Sequence, residues 1–186
     1  SPAMPAFDEG FRSGFACFVG RPNAGKSTLT NALVGQKIAI TSDKPQTTRS
    51  TVRGIVHRPD GQLILVDTPG LHRPRTLLGE RLNDLVRTTW SEVDVVACCF
   101  PVNEKPGPGD RFLVSEVAKV RRTPRIAVVT KTDLATPEQV GAQLLAVAEL
   151  GRETGAEWEE IVPVSAHAHD QVDLLADLLL ARMPEG

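Results

Sequence analysis

Short apolar runs recur along the chain, and most are separated by stretches with helical periodicity. The runs consist mainly of Val, Ile, Leu, Ala and Cys, with little alternation between apolar and polar positions. Such runs are typical of strands in a sheet that is covered on both faces. The predicted strands are 15–19, 51–56, 63–66, 93–100, 125–129 and 161–164.

Helical patterns fill most of the spaces between these strands. The predicted helices are 27–33, 77–90, 110–120, 137–150 and 172–180. Alternating strands and helices predict an α/β fold with a doubly wound, mostly parallel sheet of six strands and helices on both faces. The turn-forming segment 58–61 separates the second and third strands, so one antiparallel edge pair is expected.

The composition is typical of one soluble globular domain. Of the 186 residues, 41% are hydrophobic and 24% are charged, and the formal net charge is −2. A dedicated nucleic-acid-binding domain usually has a strong basic excess, so direct nucleic-acid binding by this domain alone is not expected. The cysteines, Cys17, Cys98 and Cys99, lie in apolar runs, as buried side chains of a reducing compartment would. Without an apolar run of membrane-spanning length or a signal-peptide pattern, a cytoplasmic location is expected.

A glycine-rich loop carries the first chemical signal. The sequence GRPNAGKST at 20–28 fits the pattern G-x-x-x-x-G-K-[ST] and lies between a predicted strand and a predicted helix, as that pattern requires. Its glycines let backbone N–H groups surround a phosphate, Lys26 adds positive charge, and the Ser27 hydroxyl can bind Mg²⁺. The loop therefore predicts a phosphate site at a helix N-terminus.

A second motif, DTPG at 67–70, follows the third predicted strand. Asp67 can bind Mg²⁺ directly or through water, and Gly70 can offer its backbone N–H to a γ-phosphate. The motif is weak by itself. Together with the loop at 20–28 it indicates a nucleoside triphosphate site.

Two further segments select the base. TKTD at 130–133 follows the fifth predicted strand, and its Asp133 carboxylate can accept hydrogen bonds from guanine N1–H and the 2-amino group. Adenine does not offer these donors in that place. Ser165 and Ala166 follow the last strand, where a backbone N–H could bind guanine O6.

The order and spacing of these motifs resemble the Era-type bacterial GTPases. The resemblance covers about residues 15–184 and includes PQTTR at 45–49 and DTPGLH at 67–72. It implies a P-loop GTPase fold, GTP or GDP and Mg²⁺ as ligands, and hydrolysis of GTP to GDP and phosphate. The polar loops around 36–50 and 68–79 would be switches that respond to the γ-phosphate. Residues 14–184 would form the GTPase domain, after a tag remnant or flexible N-terminus at 1–13.

The resemblance also implies roles for individual residues. Lys26 would contact the β- and γ-phosphates, Thr28 the α-phosphate, and Lys131 would pack on the base. Mg²⁺ would be bound by Ser27, Asp67 and Thr48, with Thr47 as the alternative to Thr48. The residues expected to take part in catalysis are Lys26, Asn23, Thr48 and Gly70. The residues expected at the nucleotide are Arg21, Pro22, Asn23, Ala24, Gly25, Lys26, Ser27, Thr28, Asp67, Gly70, Thr130, Lys131, Asp133, Leu134, Ser165, Ala166 and His167.

Two positions depart from the family pattern. Thr130 stands where most GTPases have an asparagine that braces the phosphate loop and contacts the base. A hydroxyl can replace only part of that bonding, so weaker nucleotide binding is expected. Leu71 stands where many GTPases have a water-orienting glutamine, so a slow intrinsic rate is expected.

Asn23 leaves two interpretations open. In potassium-dependent relatives, an asparagine at this position helps to bind K⁺, which contributes positive charge where an arginine finger otherwise would. Carbonyl groups of the loop before Thr47 would then complete the potassium site. Alternatively, Asn23 only stabilises the turn of the phosphate loop.

Era-type proteins also carry a C-terminal KH domain that binds 16S ribosomal RNA during small-subunit assembly. A KH domain needs a G-x-x-G clamp, which this sequence lacks, so that domain is expected to be missing from this chain. The resemblance implies the small ribosomal subunit as a partner of the full-length protein, and also peripheral membrane association. Two function classes stay open, a slow GTPase and a nucleotide-gated docking module. Asp133 disfavours a third, an ATPase.

Overall fold

Six strands form one sheet in a computed structural model that describes residues 10–35, 51–67 and 77–185. The strands run in the spatial order β2-β3-β1-β4-β5-β6, and every neighbouring pair is parallel except the antiparallel pair β2 and β3. Both the mostly parallel sheet and its antiparallel edge pair are confirmed. The strands are β1 Arg12–Val19, β2 Thr51–Arg58, β3 Gly61–Asp67, β4 Val95–Pro101, β5 Arg125–Thr130 and β6 Ile161–Pro163.

The helices match the predicted periodic segments to within a few residues at each end. They are α1 Lys26–Val34, α2 Leu77–Glu92, α3 Pro108–Ala118, α4 Pro137–Thr154 and α5 Val172–Leu180, with a 3₁₀ turn at Thr132–Leu134. Helix α4 begins where its sequence indicates, because the Thr136 hydroxyl accepts a hydrogen bond from Gln139 N at 3.2 Å. Helix α3 begins two residues before the prediction, since Pro108 is suited to a first helical turn.

The sheet is covered on both faces, which explains why its strands are continuously apolar. Helices α1 and α5 pack on one face, through residues such as Leu29 and Leu175. Helices α2, α3 and α4 pack on the other, where Trp90 is buried. Strand β4 is buried along its whole length. Among the helices that the structure describes, none is long and apolar enough to cross a membrane.

The three cysteines are buried in these two cores, as predicted. Burial raises the pKa of Cys17 to about 12, with a smaller contribution from the charge of Asp67. Burial likewise raises the pKa of Cys99 to about 12. Both thiols are therefore protonated at neutral pH and serve as small apolar side chains.

The topology brings the predicted motifs to one edge of the sheet. Strands β1, β3, β5 and β6 all run in the same direction, so their carboxyl ends lie side by side. Asp67 ends β3 at this edge, and the segments 20–28, 130–133 and 165–166 lie at the ends of the other three strands. Ligands of doubly wound α/β folds bind at this edge.

Candidate functional site

The loop between β1 and α1 is a tight turn built from left-handed residues. Asn23 has φ 70° and Gly25 has φ 90°, a conformation that glycine and asparagine adopt at low cost. The N–H of Ala24 donates to the carbonyl of Arg21 at 3.1 Å. A Cβ on Gly20 would lie 3.0 Å from the backbone oxygen of Cys99, so a side chain there would crowd β4.

Helix α1 follows the turn and directs its first N–H groups into the site. The first N–H bonded within the helix is that of Leu29, which donates to Gly25 O at 2.9 Å. The N–H groups of 26–28 precede this bond and have no intrahelical partner, as in any first turn. The Lys26 ammonium donates to Gly20 O at 2.7 Å and so lies across the loop. Together these groups form an anion-binding site.

Two side chains from the end of β5 hold this loop. The Thr130 hydroxyl donates to Ala24 O at 2.7 Å, and the Lys131 ammonium donates to Asn23 O at 2.7 Å. Thr130 is only 4% exposed. Although threonine replaces the usual asparagine, its hydroxyl joins the segment 130–133 to the phosphate loop.

The 3₁₀ turn after β5 presents Asp133 beside the loop that follows β6. Ser165 Oγ donates to Asp133 Oδ1 at 2.8 Å and itself accepts a hydrogen bond from the N–H of Ala168 at 3.0 Å. Ser165 is 1% exposed, so its hydroxyl fixes the carboxylate from a buried position. Lys131 has φ 61°, which turns the chain sharply between strand and carboxylate.

A cavity of about 180 Å³ lies between Asp133 and the phosphate loop. Most of its wall is apolar, and Asp133 supplies a carboxylate at one side, which suits a flat heterocycle with hydrogen-bond donors on one edge. The lining residues are Gly25, Thr28, Leu29, Thr130, Lys131, Asp133, Leu134, Val164, Ala166 and His167.

A second cavity, of about 230 Å³, contains Lys26, Ser27, Arg53 and Asp67. Its hydroxyl and carboxylate are the hard oxygen ligands that Mg²⁺ prefers, so these residues fit that ion. Among the residues that the structure describes, no group of three or more His, Cys, Asp or Glu side chains could hold a metal. One carboxylate and one hydroxyl are nevertheless typical where substrate phosphates complete the coordination of Mg²⁺.

Comparison with known proteins agrees with this arrangement. A family model described as "50S ribosome-binding GTPase" matches residues 15–131. The chain belongs to this GTPase family. It is 73% identical over 175 residues to GTPase Era of Nocardioides sp., an alignment that covers 94% of this chain and 56% of that protein.

Two solved structures resemble the whole described fold of this chain. One is a crystal structure of Era in complex with MgGDPNP and nucleotides 1506–1542 of 16S ribosomal RNA, with TM-score 0.74, 34% identity and coverage of 95% of this chain and 58% of that one. The other is a variant of Aquifex aeolicus Era bound to GDP.AlF4⁻, with TM-score 0.73, 33% identity and coverage of 94% and 58%. The chain thus spans little more than half the length of these relatives. The resemblance to Era-type GTPases and the P-loop GTPase fold are confirmed.

The chain also contains contacts that the sequence motifs did not reveal. Arg21 lines neither of these two cavities, and its Nε donates to Asp110 Oδ1 at 2.9 Å. The other oxygen of Asp110 accepts from the N–H of Gly107 at 2.9 Å, at the start of α3. The phosphate loop is therefore attached to α3 through a buried carboxylate. Arg21 and Asp110 are 89 positions apart in the sequence, and no motif indicated that they would pair.

Arg53 is a second residue of the site that the motifs did not indicate. A β-bulge between Val52 and Gly54 sets it beside Asp67, and its Nη2 forms an ion pair with Asp67 Oδ2. An irregularity in strand pairing leaves no trace in a pattern of apolar residues.

The remaining predicted residues divide into two groups. Pro22 belongs to the turn of the phosphate loop and is exposed. Thr47, Thr48, Gly70 and Leu71 lie outside the described residues, so their roles stay predictions.

Proposed function

We propose that this chain is the Mg²⁺-dependent GTP-binding and slowly GTP-hydrolysing switch domain of an Era-type GTPase that acts in assembly of the small ribosomal subunit. The observation that carries the proposal is the link between the base cavity and the phosphate loop. Asp133 lies on one wall of that cavity, and Thr130 and Lys131 connect its other side to Ala24 and Asn23. A guanine nucleotide would occupy both parts at once.

Base selection would depend on Asp133. Its carboxylate can only accept hydrogen bonds, so it favours the N1–H and 2-amino donors of guanine. Adenine would place the N1 acceptor there and leave the carboxylate unpaired, which is the kind of mismatch that a polar site rejects most strongly. Lys131 and Leu134 would contact the faces of the base, and the backbone of Ala166 would lie near O6. These contacts favour GTP over ATP.

The phosphate and metal sites would share the first turn of α1. Lys26 would contact the β- and γ-phosphates and Thr28 the α-phosphate. Ser27 and Asp67 would bind Mg²⁺, whose charge helps to neutralise the phosphates during transfer. Thr48, with Thr47 as the alternative, would complete the metal site, and Gly70 would bind the γ-phosphate through its N–H.

The chemical step would be slow, because Leu71 cannot orient a water. Potassium at Asn23 would supply part of the missing positive charge, together with carbonyls before Thr47. The left-handed φ of Asn23 supports the alternative equally well, in which its side chain serves only the turn.

The ribosomal partner follows from the relatives. The Era structure that contains a 16S ribosomal RNA fragment supports the small subunit, whereas the family description names the 50S subunit. We favour the small subunit, because that crystal structure of Era contains the 16S ribosomal RNA fragment itself. RNA binding would belong to the full-length protein, in the cytoplasm. Peripheral membrane association stays a prediction from the resemblance.

Single-turnover hydrolysis tests the proposal. We expect slow Mg²⁺-dependent cleavage of GTP, no cleavage of ATP, and an increase with small but not large ribosomal subunits when the full-length protein is used. Equal cleavage of ATP would contradict the proposal. Binding of GTP without cleavage under any of these conditions would instead support the nucleotide-gated docking module.

The potassium site has its own matched variants. Asn23→Gly keeps the left-handed turn and removes the amide, whereas Asn23→Ala also strains the turn. If K⁺ binds, the parent should hydrolyse GTP faster in KCl than in NaCl, and both variants should lose that difference. A parent that is equally fast in the two salts would rule out the potassium site.

A further inference from the structure

The hydroxyl of Thr130 has no hydrogen left for a ligand. A threonine hydroxyl carries one hydrogen, and here it donates to Ala24 O at 2.7 Å from a buried position. Turning that hydrogen toward a nucleotide would leave the carbonyl of Ala24, itself in a residue only 1% exposed, without its donor. Thr130 therefore lines the base cavity without being able to donate into it.

Lys131 is held at the same loop, through one of the three hydrogens of its ammonium. Its ammonium donates to Asn23 O at 2.7 Å. Its Cε lies 3.7 Å from the position that a Cβ on Gly25 would take, so the end of this side chain lies against the phosphate loop. The aliphatic part of the Lys131 side chain therefore lines the cavity, while the ammonium is held at the turn by Asn23 O.

The other wall of the cavity has free bonding capacity. Asp133 Oδ1 accepts from Ser165, whereas Oδ2 has no partner among the described residues. A purine that directs N1 to this carboxylate directs its five-membered ring toward the phosphate loop, because N9 carries the ribose and the phosphates. N7 belongs to that ring and is only an acceptor. It would thus face the end of the cavity where the single hydroxyl hydrogen of Thr130 is donated to Ala24 O and the Lys131 ammonium is held at Asn23 O.

We propose that Thr130 takes no part in reading the base: this site recognises guanine through its N1, N2 and O6 edge and leaves N7 without a side-chain hydrogen bond. The inference rests on the proposed function, since it assumes a guanine nucleotide in the cavity. It predicts that nucleotides of 7-deazaguanine, in which N7 is replaced by C–H, bind as tightly as the ordinary ones.

Calorimetric titration of the chain with GDP and 7-deaza-GDP, both with Mg²⁺, tests this. We expect dissociation constants that agree within about twofold. In Thr130→Asn, the amide has two hydrogens, one for Ala24 O and one for N7, so GDP should be preferred over 7-deaza-GDP by about fivefold, the size of one ordinary hydrogen bond. Thr130→Ser keeps the single hydroxyl and should behave as the parent.

The Thr130→Val variant tests whether the hydrogen bond to Ala24 O supports the phosphate loop without contributing to recognition of the base. It removes the bond to Ala24 O and should weaken both nucleotides by the same factor, with their ratio unchanged. A parent that binds 7-deaza-GDP tenfold or more weaker than GDP would overturn the inference while leaving the proposed function intact. A parent that binds neither nucleotide would overturn both.

Discussion

The site has two parts, a base side around Asp133 and a metal side around Asp67, and they are built from different interactions. On the base side, Thr130 and Ser165 are 4% and 1% exposed and make hydrogen bonds of 2.7 and 2.8 Å. On the metal side, the Arg53 and Asp67 side chains form an ion pair but are 50% and 43% exposed. Buried hydrogen bonds are costly to leave unmade, whereas exposed ion pairs contribute little. We therefore expect the base side to be preorganised and the metal side to gain its strength from the ligand.

The largest effect should come from reversing the polarity of the base side. Asp133→Asn replaces part of an acceptor with a donor, so GDP affinity should fall on the order of 1,000-fold, as in sites that lose a designed polar match. Xanthosine diphosphate, which carries an oxygen in place of the 2-amino group, should bind the variant better than GDP does. Competition calorimetry measures both. Asp133 is exposed, so thermal unfolding of the variant should match that of the parent; unchanged GDP affinity would contradict the role of Asp133.

A substitution on the metal side should change GDP affinity only when Mg²⁺ is present. Asp67→Asn should reduce the Mg²⁺-dependent part of GDP affinity by about tenfold, within the range typical of disturbed metal sites. With Mg²⁺ chelated, parent and variant should bind GDP equally, because Asp67 then has no ligand to hold. Titrations with Mg²⁺ and with a chelator provide the comparison. A loss of the same size under both conditions would show that the two sides are not separable.

The free energy of unfolding should also fall more for a substitution on the base side than for one on the metal side. Thr130→Val leaves the buried Ala24 carbonyl without its donor and should lower the free energy of unfolding by about 1–3 kcal/mol. Arg53→Ala removes a half-exposed ion pair and should cost less than about 1 kcal/mol. Chemical denaturation of the two variants and of Thr130→Ser, which retains the hydroxyl, measures the difference. An equal loss of unfolding free energy at Thr130 and Arg53 would contradict the difference proposed between the two sides.

The smallest effect on the site should come from a carboxylate remote from both cavities. Burial opposes ionisation of Glu116, but hydrogen bonds and charges from Arg87 and Lys119 outweigh it and lower the pKa of that carboxyl. Because its pKa is lower in the folded than in the unfolded chain, Glu116 stabilises the fold above its unfolded pKa, about 4.3. That stability is lost as pH falls through the folded pKa.

Glu116→Gln should therefore flatten the dependence of stability on pH in acid and leave GDP affinity unchanged. Denaturation across the acid range, with GDP titration at neutral pH as the control, checks both statements. A change in nucleotide affinity would mean that α2 and α3 are coupled to the site. An acid profile identical to that of the parent would mean that the ion pairs of Glu116 contribute nothing.

The fold was predictable because the sheet is covered on both faces. Burial of β4 along its whole length requires the apolar run from which it was predicted, and the turn residues at 58–61 marked the antiparallel pair. Local motifs also predicted which residues lie together at one edge of the sheet, as Gly25 and Asp133 do in the lining of one cavity. Contacts between distant segments were not predictable. The Arg21 contact with Asp110 depends on how α3 packs, and the position of Arg53 depends on a bulge.

Thr130 lies between these cases. The sequence shows that threonine must make fewer hydrogen bonds here than asparagine would. It does not show which hydrogen bond is kept, and the structure shows that it is the one to Ala24 O, at 2.7 Å. One hydrogen can serve the loop or the base. Only the three-dimensional arrangement shows that it serves the loop.

Titration of the chain with GDP and, in parallel, with ADP, each in the presence of Mg²⁺, tests the central claim most directly. The account predicts a clear GDP isotherm and no heat from ADP, because Asp133, held by Ser165, selects the base although Thr130 replaces asparagine. Equal binding of the two nucleotides, or binding of neither, would contradict it and would reduce the site to a general phosphate-binding loop.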